Sequence, residues 1–335
     1  MQTIDIHTHL VNPNVRFKKL YDKLVIRFFS SKLGHDRDAL LEKPYPNYVR
    51  GMAEAIRSSR YIKKVCLFPV DSYFDKAGKE VHRDNTVCSH TADVLEVSKA
   101  YPDLFIPFFS INPLRPNALG LIDEAVTNGC RGAKFLQNYW FIDLRRQWLI
   151  PYFEKLKEKG IPLIIHTGGE YSVSSKNDYE TVEMLELPLK IGVTVIAAHM
   201  GLGHFSHKLL PWRNLSQSPC YFGRNYFKLL EMLSTYNNLY ADLSAMLSPL
   251  RSKALRHLSG QKAIHHKILF GTDYPVPFQV KINTHDLPAS KTKEIAKIQN
   301  PFDRYVSVML EYFPEDSPIY SNYKKVLPLE DGKAT

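Results

Sequence analysis

The chain has 335 residues, enough for two ordinary domains or for one large α/β barrel of about 250 residues that carries insertions. Apolar residues make up 44% and charged residues 23%, which are ordinary globular values and exclude a disordered or fibrous chain. The net charge of +10, from 44 Lys plus Arg against 34 Asp plus Glu, suits an anionic small substrate; it is spread along the chain without a zinc finger, helix-turn-helix signature or arginine tract, so no nucleic-acid partner is expected.

Cys66, Cys88, Cys130 and Cys220 lie far apart and form no C-x-x-C, a pattern that predicts reduced thiols in a cytoplasmic protein. No stretch approaches the roughly 18 uninterrupted apolar residues of a spanning helix, so no membrane partner is expected either.

In chain order, the first predicted strand covers residues 3–7 and runs into His7 and His9. Side chains two apart on an extended chain share a face, so both imidazoles can reach one metal ion. Residues 10–46 form an insertion in which Phe17, Leu20, Tyr21, Leu24 and Phe28 recur at helical spacing on a basic segment. That stripe predicts a helix packed on the barrel mouth or against a homodimer partner, in preference to membrane attachment.

A helix over 47–60 leads to a strand over 64–69, and a helix over 85–100 to a strand over 105–111. A helix over 116–128 precedes the strand 132–136, which carries Lys134; a helix over 146–159 precedes the strand 162–166, which ends on His166. The helix 179–191 leads to the strand 194–199, ending on His199. Then come a helix over 224–236, a strand over 239–243, a helix over 252–260 and a strand over 267–271, two residues before Asp273. Residues 274–298, with Pro275, Pro277 and Pro288, read as an irregular loop before a last helix over 302–313. Asn128-Gly129, Lys159-Gly160 and Ile191-Gly192 place Gly where a left-handed residue closes a helix.

Eight strands alternating with helices predict an α/β fold, a (β/α)8 barrel in one domain spanning residues 1–335, with 10–46 and 274–298 inserted at its mouth. Such a barrel gathers the C-terminal ends of its strands on one face. His7, His9, Lys134, His166, His199 and Asp273 therefore become neighbours. Three neutral imidazoles and a carboxylate suit Zn²⁺, or less well Mn²⁺ or Fe²⁺, and leave a position where bound water can ionise near neutral pH. His199 is then placed as the acid/base, and Asp273 as a group that both touches the metal and shuttles the proton.

Ile4-Asp5-Ile6-His7-Thr8-His9, Pro162-Leu163-Ile164-Ile165-His166-Thr167-Gly168, Ala198-His199-Met200-Gly201 and Leu269-Phe270-Gly271-Thr272-Asp273-Tyr274-Pro275 together resemble the metal-binding motifs of the amidohydrolase superfamily. They are most similar to the amidohydrolase-related branch that contains aminocarboxymuconate semialdehyde decarboxylase-like proteins. The resemblance implies a distorted barrel with one divalent metal on His7, His9, His166 and Asp273, and a catalytic His199. It also implies hydrolysis of lactones, amides or C–C bonds, or non-oxidative decarboxylation of aromatic and unsaturated acids.

The expected reaction is hydrolysis of a small anionic carbonyl compound by metal-bound hydroxide. Decarboxylation is the alternative, and a third reading is a barrel that binds metal and ligand without turnover; the intact histidines and Asp273 speak against the third. Lys134 has three readings: a substrate contact, a partner of a barrel carboxylate, or a carbamate bridging a second metal. Among loop residues, Tyr139, Glu170, Arg213 and Tyr274 are candidate substrate contacts, as are Asn138, Trp140, Tyr171, Arg224 and Ser244. Arg213 and Arg224 suit either an anion clamp or surface ion pairs. His204 and His207 share helical spacing but lack a third ligand, and read as outer or surface groups.

Overall fold

The computed structural model describes residues 1–16, 26, 30, 33–81, 87–170, 172–203, 222–248, 251–284 and 286–329. The predicted amphipathic stripe at Phe17, Leu20, Tyr21, Leu24 and Phe28 lies outside the described residues.

Eight parallel strands follow one another: β1 Thr3–His9, β2 Ile62–Phe68, β3 Phe105–Pro107, β4 Ala133–Phe135, β5 Leu163–Ile165, β6 Val195–Ala197, β7 Leu239–Asp242 and β8 Ile268–Leu269. The first three pair in sequence order, and so do the last five. Backbone hydrogen bonds cross both seams. Phe109 N donates to Gly132 O at 3.0 Å and Lys134 N to Phe109 O at 2.8 Å; Ile6 N donates to Phe270 O at 3.2 Å and Asp273 N to His7 O at 2.8 Å. The ring is the predicted α/β barrel, a TIM barrel.

Its outer layer is α1 Pro44–Arg57, α2 Thr91–Ala100, α3 Ala118–Thr127, α4 Ile150–Glu158, α5 Glu186–Ile191, α6 Gly223–Thr235, α7 Ala254–Gly260 and α8 Pro301–Met309, one after each strand. Helix α1 starts with Pro44, whose missing N–H costs nothing in a first turn, and buries Tyr48, Val49, Met52 and Ile56 at helical spacing. Helix α8 is capped by the Asn300 side chain, which accepts from the N–H groups of Phe302 and Asp303.

Three expectations change. The helix predicted over 179–191 is broken: 3₁₀ turns at Asn177–Tyr179 and Val182–Leu185 precede the short α5, where Pro188 removes a donor. It ends on schedule at Gly192, with φ of +102°. The segment 274–298 holds two short helices, Val280–Asn283 and Ala289–Ile295, rather than irregular loop alone. An antiparallel hairpin, Tyr73–Phe74 with Glu80–Val81, stands between β2 and α2 where none was predicted.

Inside the ring, Ile4, Ile6, Cys66, Phe68, Ile106, Phe108, Ile164, Ile196 and Leu269 form one cluster, separate from the larger apolar layer between strands and helices. Val326 and Leu327 join the inner cluster from beyond α8. The tail is held there by Thr3 Oγ1, which donates to Tyr320 O at 2.7 Å, and by Phe270 N, which donates to Ile319 O at 3.1 Å. Because Ile4 starts β1, this segment closes the end of the barrel opposite the strand C-termini.

Candidate active site

The rim at the strand C-termini carries the chemistry. Pairing of β1 with β2 shifts register between Asp5 and Thr8, an irregularity of the kind that re-aims side chains at barrel rims. His7 lies within that shift and His9 just beyond it. Their rings lie 5.4 Å apart, the His7 ring is 5.0 Å from that of His199, and His199 is 4.8 Å from His166. Asp273 closes the group, with Oδ1 3.3 Å from His7 Nε2 and 3.2 Å from His9 Nε2.

Backbone strain marks this rim. Four non-glycine residues, His199, Met200, Ala245 and Asp273, adopt left-handed backbone with φ between 51° and 67°. Such conformations cost about 1–3 kcal/mol each and persist only where surrounding structure enforces them. Gly168 also has a positive φ, of +80°, and a Cβ there would stand 2.0 Å from Leu202 O. Only glycine lets the loops after β5 and β6 approach this closely.

Asp242, at the end of β7, organises the histidines. Its Oδ2 is 2.7 Å from His7 Nδ1, and its Oδ1 accepts from the backbone N–H groups of His199 and Ser244, each at 3.0 Å, and from the Ser244 hydroxyl. Burial pushes the Asp242 carboxyl upward, but His7 and these hydrogen bonds hold it below the usual range. An ionised Asp242 fixes the proton of His7 on Nδ1 and frees Nε2 as a lone-pair donor. His199 Nδ1 lies 3.1 Å from Ser244 O and 2.8 Å from Ser244 Oγ, which places its proton on Nδ1 and leaves Nε2 as an acceptor.

Burial holds His7, His166 and His199 in the neutral form, each below the ordinary histidine value. The Lys134 charge acts the same way on His7 and His166. Burial also pushes the Asp273 carboxyl upward, yet its interactions with the His7 and His9 rings beside it and with the Lys134 ammonium hold it well below the carboxylate range. Lys134 occupies the interior position of β4, between Ala133 and Phe135 of the outer layer; its Nζ is 3.3 Å from His7 Nε2, and burial lowers its ammonium to about 8. Asp5 is buried and raised to about 7 by burial, while accepting from His7 N, Thr272 N and Thr272 Oγ1 across the β8–β1 seam.

Donor chemistry fits a metal. Among the described residues, His7, His9 and Asp273 bring ligand atoms within 4.8 Å of one another. A neutral imidazole nitrogen and a carboxylate oxygen 3.3 Å apart are both electron donors, so a cation between them relieves their repulsion. His166 stands outside that tight group, but its Nε2 is buried without a hydrogen-bond partner among the described residues, the condition of a ligand atom awaiting an ion.

A cavity of about 620 Å³ opens over these groups. His9, Lys134, His166, Glu170, His199, Arg251 and Asp273 face it, against walls of Leu10, Val11, Val70, Leu136, Val173 and Pro275 to Pro277. Glu170, read from sequence as a substrate contact, does line it, with Oε2 3.4 Å from His166 Nδ1.

Tyr139 and Tyr274, read from sequence as substrate contacts, are not among the residues that line it. Tyr139 sits on the short helix Gln137–Trp140, is wholly buried in the outer apolar layer and has its hydroxyl 3.2 Å from Cys88 Sγ. Tyr274 follows the left-handed Asp273, which turns its ring away to stack on Phe302, with its hydroxyl bonded to Leu33 O and His35 Nε2. Asn138 is buried, with Nδ2 donating to Glu180 Oε1 at 3.3 Å, and Trp140 Nε1 donates to Asp71 O at 2.9 Å. Arg224 is a surface residue paired with Glu183 at 3.2 Å. Arg213, Tyr171, His204 and His207 lie outside the described residues.

Three groups escaped the sequence reading. Asp242 had a signal, an acid inside the predicted strand 239–243. Asp5 had a weaker one, two residues before His7, and Arg251 had none.

Known proteins show the same architecture. The chain aligns with an uncharacterised TIM-barrel protein, Bb4693 from Bordetella bronchiseptica, at 19% identity and a TM-score of 0.57, over 92% of this chain and 99% of that one. It is also similar to amidohydrolase 2 from Bifidobacterium longum subsp. infantis, at 14% identity and a TM-score of 0.53, over 97% and 98% of the two chains. No curated protein matches it. The amidohydrolase family model matches residues 4–281, from the first strand to beyond the last, and so takes in every histidine and carboxylate at the rim. With that match over most of its length, the chain belongs to the amidohydrolase family of enzymes.

Proposed function

We propose that the chain is a metal-dependent hydrolase of a small anionic carbonyl compound, with His7, His9, His166 and Asp273 holding one divalent ion. Zn²⁺ suits this nitrogen-rich set best, ahead of Mn²⁺ or Fe²⁺. The observation that carries the reading is the convergence of His7 Nε2, His9 Nε2 and Asp273 Oδ1 beneath an apolar cavity.

These residues would hold an ion that, when bound, would supply Lewis acidity, enough to polarise a carbonyl and to lower the pKa of water from about 15.7 towards about 7. His7 is kept in its donating tautomer by Asp242. His199, neutral and with Nε2 free to accept, takes a proton at the cavity and returns it. Asp273 would help hold the ion and pass a proton to the leaving group. Lys134 contacts substrate as an ammonium, and the aliphatic walls exclude bulk water and strengthen every charge inside.

One observation favours decarboxylation as the second reading. Lys134 Nζ sits 3.3 Å from His7 Nε2, where it would hold a substrate carboxylate beside the reacting centre.

Metal analysis of the purified chain should find one ion per chain, and His7→Ala or His9→Ala should each lower that occupancy at least about tenfold. Full occupancy in both variants sinks the ligand assignment, and two ions per chain would make Lys134 a bridging carbamate. Turnover in ¹⁸O-water should label the product. Release of CO₂ without label selects decarboxylation.

A further inference from the structure

The histidines at the rim are not held alike. His7 has the Asp242 carboxylate behind its ring, whereas the only hydrogen-bond or ion-pair partner of the His9 ring among the described residues is Asp273, a fellow ligand. His9 is also the least covered of the four proposed ligands, with its side chain 22% exposed against 9% for Asp273, 3% for His166 and 0% for His7. A ligand ring with no partner behind it and only partial burial takes its position from its own backbone. That backbone is gripped on both sides. His9 N donates to Tyr274 O at 2.8 Å, and His9 O accepts from the hydroxyl of Tyr48 at 2.6 Å. Tyr48 stands on α1, is buried, and stacks on Tyr274 with ring centroids 6.1 Å apart and planes 24° from parallel. His35 closes the set, with its ring 5.4 Å from that of Tyr48 and its Nε2 2.6 Å from the Tyr274 hydroxyl.

We propose that Tyr48 is a positioning residue of the metal centre: by holding His9 O, its hydroxyl fixes where the His9 imidazole stands relative to Asp273. Strand β1 ends at His9, and the chain then leaves for the 10–46 insertion. A side chain from the outer helix layer anchors this last strand residue. Tyr274 directly follows Asp273, so the stacked tyrosines tie the backbone of one ligand to the neighbour of another. The packing on Tyr274 and His35 asks only for an aromatic ring, which phenylalanine would supply; the O–H is the part that reaches the ligand. Tyr48 touches neither ion nor substrate and acts through His9. The inference rests on the reading of His9 as a metal ligand and adds to it a residue that sets the ligand's place.

The test is zinc affinity, by competition with a chromogenic chelator, for the full wild-type chain, Tyr48→Phe and a matched control, Tyr152→Phe. Tyr152 is a comparably buried tyrosine on α4 whose hydroxyl also donates to a backbone carbonyl, Ile111 O at 2.9 Å, and not to that of a proposed ligand. Each change removes one buried hydrogen bond and keeps the ring, so both should lower the denaturation midpoint to a similar degree. Only Tyr48→Phe should weaken zinc, by about fivefold, the scale of one such bond. Equal zinc affinity in wild type and Tyr48→Phe, or an equal loss in Tyr152→Phe, overturns the proposal. If the wild-type chain takes up no zinc, the metal reading falls and crystal structures of the metal-free chains decide the positioning role. In Tyr48→Phe the distance from His9 Nε2 to Asp273 Oδ1 should then differ from wild type beyond coordinate error, and a His9 ring that has not moved overturns the proposal.

Discussion

Asp242 carries more of the site than its own chemistry suggests. It accepts from His7 on one oxygen and, on the other, from the backbone of His199 and from Ser244, which in turn holds the His199 ring. One carboxylate thus sets the tautomer of a ligand and the pose of the acid/base. Replacing it with Asn puts a donor where His7 needs an acceptor, so Asp242→Asn should weaken metal binding about 10- to 100-fold. Competition with a chelator measures this; unchanged metal affinity would contradict the role. The histidines and Asp273 are legible in the sequence because each falls at or just past a predicted strand end, and a barrel turns that coincidence into contact. Arg251 is not legible. Its orientation depends on Gly169 O and Leu202 O, which lie far off in the chain and leave no local trace. Tyr139 and Tyr274 mislead for a related reason, since a loop side chain points where the preceding φ sends it, and the left-handed Asp273 cannot be read from residue type.

Elements were readable where the pattern was long and punctuated. All eight strands and all eight outer helices stand near their predicted places, while the helix predicted over 179–191 broke into 3₁₀ turns ahead of α5 and the hairpin Tyr73–Phe74 with Glu80–Val81 was too short to leave a period. Two joints between elements yield predictions. Gly168→Ala would press a methyl against Leu202 O in a left-handed conformation, so this change should cost on the order of 2–4 kcal/mol or prevent folding. A denaturation midpoint equal to wild type would refute it. His35 packs under α1, where a Cβ on Gly51 would meet its ring at 2.3 Å, and burial lowers it to about 4 from 6.5. The unfolded chain therefore takes up this proton first. His35 costs no stability above pH 6.5, and the penalty grows as pH falls from 6.5 to 4. Unfolding at pH 7 and pH 4.5 should show wild type losing on the order of 2 kcal/mol more than His35→Gln. Equal losses would show that His35 is not buried neutral.

At the scale of the molecule, no helix among the described residues is long and apolar enough to cross a membrane. The sequence predicted the ring but not its stopper. Val326 and Leu327 fill the closed end from a tail that has no partner strand and no periodic signal, so only the assembled barrel gives them a place. Ending the chain at residue 321 should lower unfolding free energy by about 3–5 kcal/mol, the worth of two buried aliphatic side chains. A melting temperature within a degree of wild type would show that the tail is incidental.

The seam between β8 and β1 has a consequence for how the enzyme comes into being. His7 and His9 stand on the first strand and Asp273 just past the eighth, yet all three must meet across that seam. A chain made only as far as β7 therefore holds the histidines without Asp273 and has no complete site. Once the ends join, an ion bound to both would clasp the ring shut, so that loading with metal and closing the circle of strands become one event.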